Sequence, residues 1–227
     1  EILMNIEREL NKSVWKKQLE KNKMLYPDER VVAFFANNFK EQNNYEKNVL
    51  DIGCGSGRNL IPALDYGFNC YGIDFNEECC ITVKKTFEDR KGLKKIYFGD
   101  LKSVNLKSDF YDVVLIYGVL FLNEYNEMRQ LLSEIKRIMK KGGKMIVNFR
   151  AEDDYLNGKG KKIGDYSYIL DESTGSYENA YYTFLSFDKA SNLLKEHGFK
   201  ILKYEKIEFY KNCLKEKHSW WIFTVEA

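Results

Sequence analysis

Chemistry concentrates in one run of residues, Asp51-Ile52-Gly53-Cys54-Gly55-Ser56-Gly57, and in one acid further on, Asp74. Glycines at alternate positions let the backbone turn sharply and come close to a ligand. A helix starting behind them would offer unpaired N–H groups to an anionic group. Asp74, roughly twenty residues past the first glycine, is placed where an acid can accept hydrogen bonds from two ribose hydroxyls. Two details restrict the ligand. The loop reads G-x-G-x-G, followed by Arg58 and Asn59, so its third glycine comes one residue early for the G-x-G-x-x-G loop that holds a dinucleotide pyrophosphate. The carboxylate of Asp51, ahead of the first glycine, would repel a pyrophosphate and suits a ligand bearing an ammonium group.

The elements that must position these residues follow from hydrophobic spacing. Asn5 to Leu25 reads as a helix, since Ile6, Leu10, Val14 and Leu19 recur near a period of 3.6, and Pro27 stops it. Glu29 to Phe39 is a second helix, and Lys40 to Lys47 a polar loop. From residue 48 strands and helices alternate. Val49–Ile52 is a strand running into the glycine loop, and Asn59–Asp65 is the helix behind it, with Pro62 in its first turn. Cys70–Asp74 is the second strand, ending on the acid, and Glu77–Asp89 a helix capped by Asn76. Lys95–Phe98 and the apolar Asp112–Tyr117 are further strands, the latter as expected of a parallel sheet covered on both faces. Met128–Met139 is a helix closed by Gly142-Gly143, and Lys144–Phe149 a fifth strand. Residues 150–183 lose the rhythm and read as an insertion over the active face. Asp188–His197 is the last helix; Phe199–Tyr210 and Ser219–Glu226 form a closing strand pair. The class is α/β, a doubly wound, mostly parallel sheet.

With these residues in place, VLDIGCGSGRN resembles motif I of the class I S-adenosylmethionine-dependent methyltransferases, of the bacterial and archaeal small-molecule type. The resemblance continues in order through Gly72-Ile73-Asp74-Phe75-Asn76, Gly99-Asp100-Leu101, Tyr111 to Leu122, and Leu132 to Val147 with its Lys141-Gly142-Gly143 turn. It covers residues 48–150 closely. It implies a Rossmann-like seven-stranded sheet with an antiparallel last strand, and one methyltransferase domain over 1–227. Within it, 1–45 would be an N-terminal helical cap, 46–150 the cofactor core, 151–183 a substrate-side insertion, and 184–227 a C-terminal helix and strand pair. It implies S-adenosylmethionine as cofactor and S-adenosylhomocysteine as product. Asp51, Gly53, Cys54 and Gly55 would surround the methionine part, and Asn59 its amino-acid end. Asp74 would take the ribose and Phe75 the adenine face; Asp100 and Leu101 would read the adenine edge, and Tyr117 and Gly118 would flank the methyl. Trp15 and Tyr26-Pro27-Asp28-Glu29 resemble the cap that closes over the cofactor in many bacterial members. Each position also has a plain structural reading: Cys54 as packing, Asp100 as a turn cap, Phe75 as core.

The acceptor side is less legible. A hydroxyl or amine acceptor needs a base, and no motif fixes one. Tyr117, Arg150 and His218 are the candidates for catalysis; His218 reads equally as edge-strand structure and His197 as a helix-terminal residue. After strand five come Arg150, Glu152, Asp153 and Asp154, then Tyr155, Tyr166, Tyr168, Tyr177, Tyr181 and Tyr182, where open α/β sheets place their ligand crevice. Gly158-Lys159-Gly160-Lys161-Lys162 could hold a substrate phosphate or be a solvated tip. Tyr117-Gly118-Val119-Leu120 is not the N/D-P-P-Y/F motif of planar-nitrogen methylation, and no carboxylate is offered there for a metal, so no metal is expected.

Composition bounds the rest. Among 227 residues, 36 basic and 34 acidic side chains leave a net charge of +2, too small an excess to point to nucleic acid. With 44% hydrophobic and 31% charged residues the chain is globular. The longest apolar run, Val113–Leu122, is too short for a membrane span, and the start of the chain, which opens on Glu1 rather than Met, shows no signal peptide. Five cysteines without a CxxC, and two histidines, argue against disulfides or zinc and for a reducing cytoplasm. The leading expectation is a methyltransferase acting on a hydroxyl or amine of a small metabolite, such as a sugar or phosphorylated intermediate. The alternatives are an NAD(P)-dependent oxidoreductase, a non-catalytic S-adenosylmethionine-binding module, and an RNA or protein methyltransferase.

Overall fold

The computed structural model describes residues 12–17, 24–40 and 43–227. Residues 12–17 are helical, and Met24 and Leu25 are not, so the expected first helix stops before Leu25; its remainder lies outside the described residues. Asp28 caps helix α1 (Glu29–Phe39) by accepting from the Arg30 N–H. Its spacing brings Val31, Phe34, Phe35 and Phe39 to one buried face.

Strand β1 (Asn48–Ile52) lies between β2 (Asn69–Asp74) and β4 (Tyr111–Ile116), parallel to both and buried throughout. Beyond β2 lies β3 (Leu93–Phe98), and beyond β4 lies β5 (Met139–Ala151), all parallel. Strand β10 (Glu216–Glu226) runs antiparallel between β5 and β9 (Lys200–Lys211). The order β3-β2-β1-β4-β5-β10-β9 is the expected seven-stranded sheet with an antiparallel last strand. One core cluster covers each face, as double winding requires. Helices α2 (Leu60–Asp65) and α3 (Glu77–Thr86) follow β1 and β2, and α4 (Tyr125–Ile138) and α5 (Phe187–Glu196) complete the layers.

Two expectations change. The Gly142-Gly143 pair does not close a helix ahead of the fifth strand; β5 already starts at Met139 and the pair lies within it. The register against β4 shifts there, and Gly142 and Gly143 exchange backbone hydrogen bonds with Ala227. Both glycines thus pair with Ala227, in a turn that uses the positive φ of Gly142. Residues 150–183 are more ordered than their composition suggests. Strands β6 (Lys161–Lys162), β7 (Ser167–Ile169) and β8 (Tyr181–Leu185) form a small sheet that joins β5 at Arg150 and Ala151.

Candidate active site

The strand order reverses at β1, since its neighbours β2 and β4 lead to opposite edges, and a crevice must open beyond their carboxyl ends. A cavity of about 330 Å³ lies there. Its floor is Ile52 and Gly53 after β1, Ile73, Asp74 and Phe75 after β2, Gly99, Asp100 and Leu101 after β3, and Ile116 and Val119 after β4. Trp15 of the 12–17 segment and Tyr181 of β8 close it from outside. Trp15 also packs on Tyr182, ring centroids 6.2 Å apart. Thr183 ties β8 to the loop after β4 by donating to the Asn123 carbonyl at 2.8 Å, which fixes that wall.

Backbone chemistry explains the floor. Gly53, Gly55 and Gly57 all adopt positive φ, and a Cβ on Gly53 would collide with Val119. Asp74 is buried, and its two carboxylate oxygens accept from the backbone N–H of Gly55 at 2.8 Å and of Asn76 at 2.9 Å. Burial pushes its carboxyl above the usual range, and those two bonds oppose the shift. The acid therefore shapes the glycine loop as well as facing the cavity. Asp100 does act as a turn cap: Oδ1 accepts from the N–H of Lys102 and Ser103 while the residue lines the cavity.

The other expected residues collect on the opposite side of the loop. Alternation along β1 turns Asp51 away from Ile52. Its carboxyl is buried, Oδ2 has no hydrogen-bond partner, and burial followed by the nearby charge of Asp74 pushes it up to about 8. The segment 24–28 is strapped to the glycine loop and the turn after it by three bonds. Ser56 Oγ donates to the Met24 carbonyl at 2.6 Å, Arg58 to the Tyr26 carbonyl at 3.2 Å, and Asn59 Oδ1 accepts from the Asp28 N–H at 3.0 Å. Asn59 is thus a latch for the segment.

Cys54, the half-buried Tyr117 and Gly118 belong to this side and do not line the cavity. Cys54 packs beneath Gly72, whose absent Cβ leaves room for its sulfur, and burial pushes its thiol up. Burial, with a hydrogen bond to Asp28, raises the Tyr117 phenol. Asn148 Oδ1 accepts the Gly118 N–H at 2.7 Å. Tyr26 is not brought to the site: its side chain is 82% exposed and only its carbonyl is used.

Arg150 and His218 are close to each other and also absent from the cavity lining. The guanidinium binds Asp154 and lies 3.3 Å from His218 Nδ1. Burial and Arg150 hold the imidazole below its ordinary value. A guanidinium only donates, so Nδ1 accepts and the neutral ring carries its proton on Nε2. His218, one of the three catalytic candidates, thus carries its proton on the nitrogen that faces away from Arg150. Among the described residues no group of histidines, cysteines and acids could hold a metal ion. Among the cavity residues, Asn123 after β4 and Ile163 of the insertion belong to no motif, and Val119 and Leu122 lie in the Tyr111–Leu122 stretch without a role of their own there.

Comparison with known proteins agrees with this geometry. Residues 50–147 match a family described as methyltransferase domain. An uncharacterised protein of Methanocaldococcus jannaschii is 30% identical over 155 residues, covering 68% of this chain and 65% of that protein. A tRNA N(3)-cytidine methyltransferase of Mus musculus is 21% identical over 75% of this chain and 48% of its own length. The chain thus spans less than two thirds of either relative. Among solved structures, a 1,6-didemethyltoxoflavin-N1-methyltransferase of Burkholderia thailandensis, with its substrate and S-adenosylhomocysteine bound, superposes with a TM-score of 0.72. It shares 14% identity, over 96% of this chain and 88% of that one, a likeness of fold. The glycine loop, the acid ending β2 and the sheet order agree with the match of residues 50–147 to a methyltransferase domain and with the fold shared with a solved methyltransferase.

Proposed function

We propose that the chain transfers a methyl group from S-adenosylmethionine to a hydroxyl or amine of a small metabolite. The observation that carries this reading is the buried, unpartnered carboxylate oxygen of Asp51 beside the glycine loop. An unpaired buried acid gains most from a cation, and the cofactor's methionine part presents an ammonium group. A dinucleotide would set its pyrophosphate against Asp51 and Asp74 instead, which disfavours the oxidoreductase alternative.

When bound, the cofactor supplies a sulfonium-activated methyl group. The chain's own residues then bind and orient it. Asp74 holds the ribose, Phe75 and Leu101 the adenine, and the loop backbone at Gly53 and Gly55, with Asp51, the amino-acid end. The strap over 24–28 and Trp15 exclude water, which is the protein's main contribution to an in-line displacement, together with alignment. A cytoplasmic setting is part of the reading and rests on five cysteines that are all free.

The test is methyl transfer itself. The protein, the cofactor and mixtures of small amines, sugars and hydroxylated acids are incubated, and products gaining one methyl group are sought by mass spectrometry. Turnover that Asp74→Ala lowers roughly ten- to a hundredfold through cofactor affinity supports the reading. Transfer unaffected by Asp74→Ala in a folded variant contradicts the ribose assignment.

A further inference from the structure

The cofactor reading leaves the buried cluster at the outer end of β5 unused. Asn148, which holds the Gly118 N–H, and Arg150 lie two residues apart on one face of that strand. Arg150 therefore stands roughly 7 Å further out than the residue that fixes the end of β4. Its side chain is almost fully buried, yet Nε has no hydrogen-bond partner. Asp154, its carboxylate, also accepts from the backbone N–H of Leu156 and Ser219 and is committed on both oxygens. His218 Nε2, protonated by the tautomer argument above, is likewise buried and unpartnered; Glu216 Oε2 lies 3.8 Å away, beyond hydrogen-bond reach.

Both open groups are donors, so what completes them must be an acceptor. The positive charge of the guanidinium favours an anionic one, because charge-assisted bonds are the stronger. The walls are flat. The guanidinium carbon lies 4.2 Å from the Trp220 ring centroid, 5.2 Å from that of Tyr182 and 5.8 Å from that of Phe121. The cover is side chain rather than backbone: Trp220 is half-buried, and Phe209, which stacks on both His218 and Trp220, is 40% exposed.

We infer that Arg150 and His218 anchor the methyl acceptor, and that the acceptor is a flat molecule bearing a carboxylate or an equivalent anionic oxygen. The oxygen takes the Arg150 Nε–H and the His218 Nε2–H, and the acceptor's ring packs among the aromatic walls. This rests on the methyltransferase reading and narrows its substrate class.

The probe is sodium benzoate, added to protein saturated with S-adenosylhomocysteine and read by NMR on the Arg150 Nε–H resonance, assigned through bonds from its own backbone. Benzamide and benzylamine are the controls. The expected result is a saturable downfield shift with benzoate, an affinity roughly tenfold weaker for benzamide, and no shift with benzylamine. His218→Ala should weaken benzoate without changing the affinity for S-adenosylhomocysteine. A resonance that benzoate leaves in place, or moves no more than benzamide does, overturns the inference. The nucleoside titration on the same sample keeps the two readings apart. If S-adenosylhomocysteine does not bind, the methyltransferase reading falls, and benzoate on the ligand-free protein decides the subsite alone.

Discussion

Asp51 and Asp74 show how two carboxyls close in space take different tasks from their surroundings. Asp74 has backbone N–H partners on both oxygens and organises the loop it faces. Asp51 has an oxygen with none and holds a proton up to about pH 8. A bound ammonium group favours the ionised form, so S-adenosylhomocysteine binding at neutral pH should release close to one proton. Its affinity should rise about tenfold per pH unit as pH climbs towards 8 and level off above. Calorimetry in two buffers of different ionisation enthalpy measures both. Asp51→Asn should abolish the proton release and the slope; a wild-type affinity independent of pH would remove the cation assignment. The sequence made Asp51 and Asp74 legible because their positions around the glycine loop are set by a short strand–turn–helix unit. It could not show that Asn59 would be spent on the Asp28 N–H, because that bond joins residues far apart in the chain.

At the scale of elements, the strand ends are where small backbone changes matter most. Gly53 turns the chain out of β1 with φ +71°, and its missing Cβ leaves room for Val119 after β4. Gly53→Ala should destabilise the protein by about 1–3 kcal/mol, by forcing both a left-handed alanine and a steric overlap. Adding Val119→Ala should relieve the overlap and leave the backbone cost, so the pair recovers part of the loss in a urea titration. No recovery would mean that the loops after β1 and β4 do not press on each other. The alternating strands and helices from 48 to 149 were readable from periodicity, because buried parallel strands and amphipathic helices carry their burial in their residue types. The Gly142-Gly143 pair was misleading for a reason of the same kind. Two glycines after a helix resemble a C-terminal stop, and only the partner, Ala227 at the other end of the domain sequence, shows that they serve strand pairing. The insertion was opaque because β6 and β7 are too short to display a period.

The whole molecule places two different environments on one active face, an open cavity over β1, β2 and β4 and a closed, charged cluster where β5, β8 and β10 meet. The cluster makes stability depend on acid. His218 has a depressed folded value, so the unfolded chain binds a proton near its ordinary value of about 6.5 that the folded chain refuses. Its contribution is present above that pH and is lost as pH falls. The wild type should therefore lose stability relative to His218→Phe below about pH 6.5, as read from urea midpoints. Removing the charge of Asp154 as Asn should cost about 3–5 kcal/mol at neutral pH by stranding a buried guanidinium. A smaller loss would show the cluster to be wetter than its burial indicates.

The central claim is the cofactor, and calorimetric titration with S-adenosylhomocysteine against NADH tests it most directly. Saturable binding of S-adenosylhomocysteine at one site, with no heat from NADH, is the result that Asp51, Asp74 and the early third glycine predict. Binding of NADH alone would contradict it and return the glycine loop to the dinucleotide-binding class.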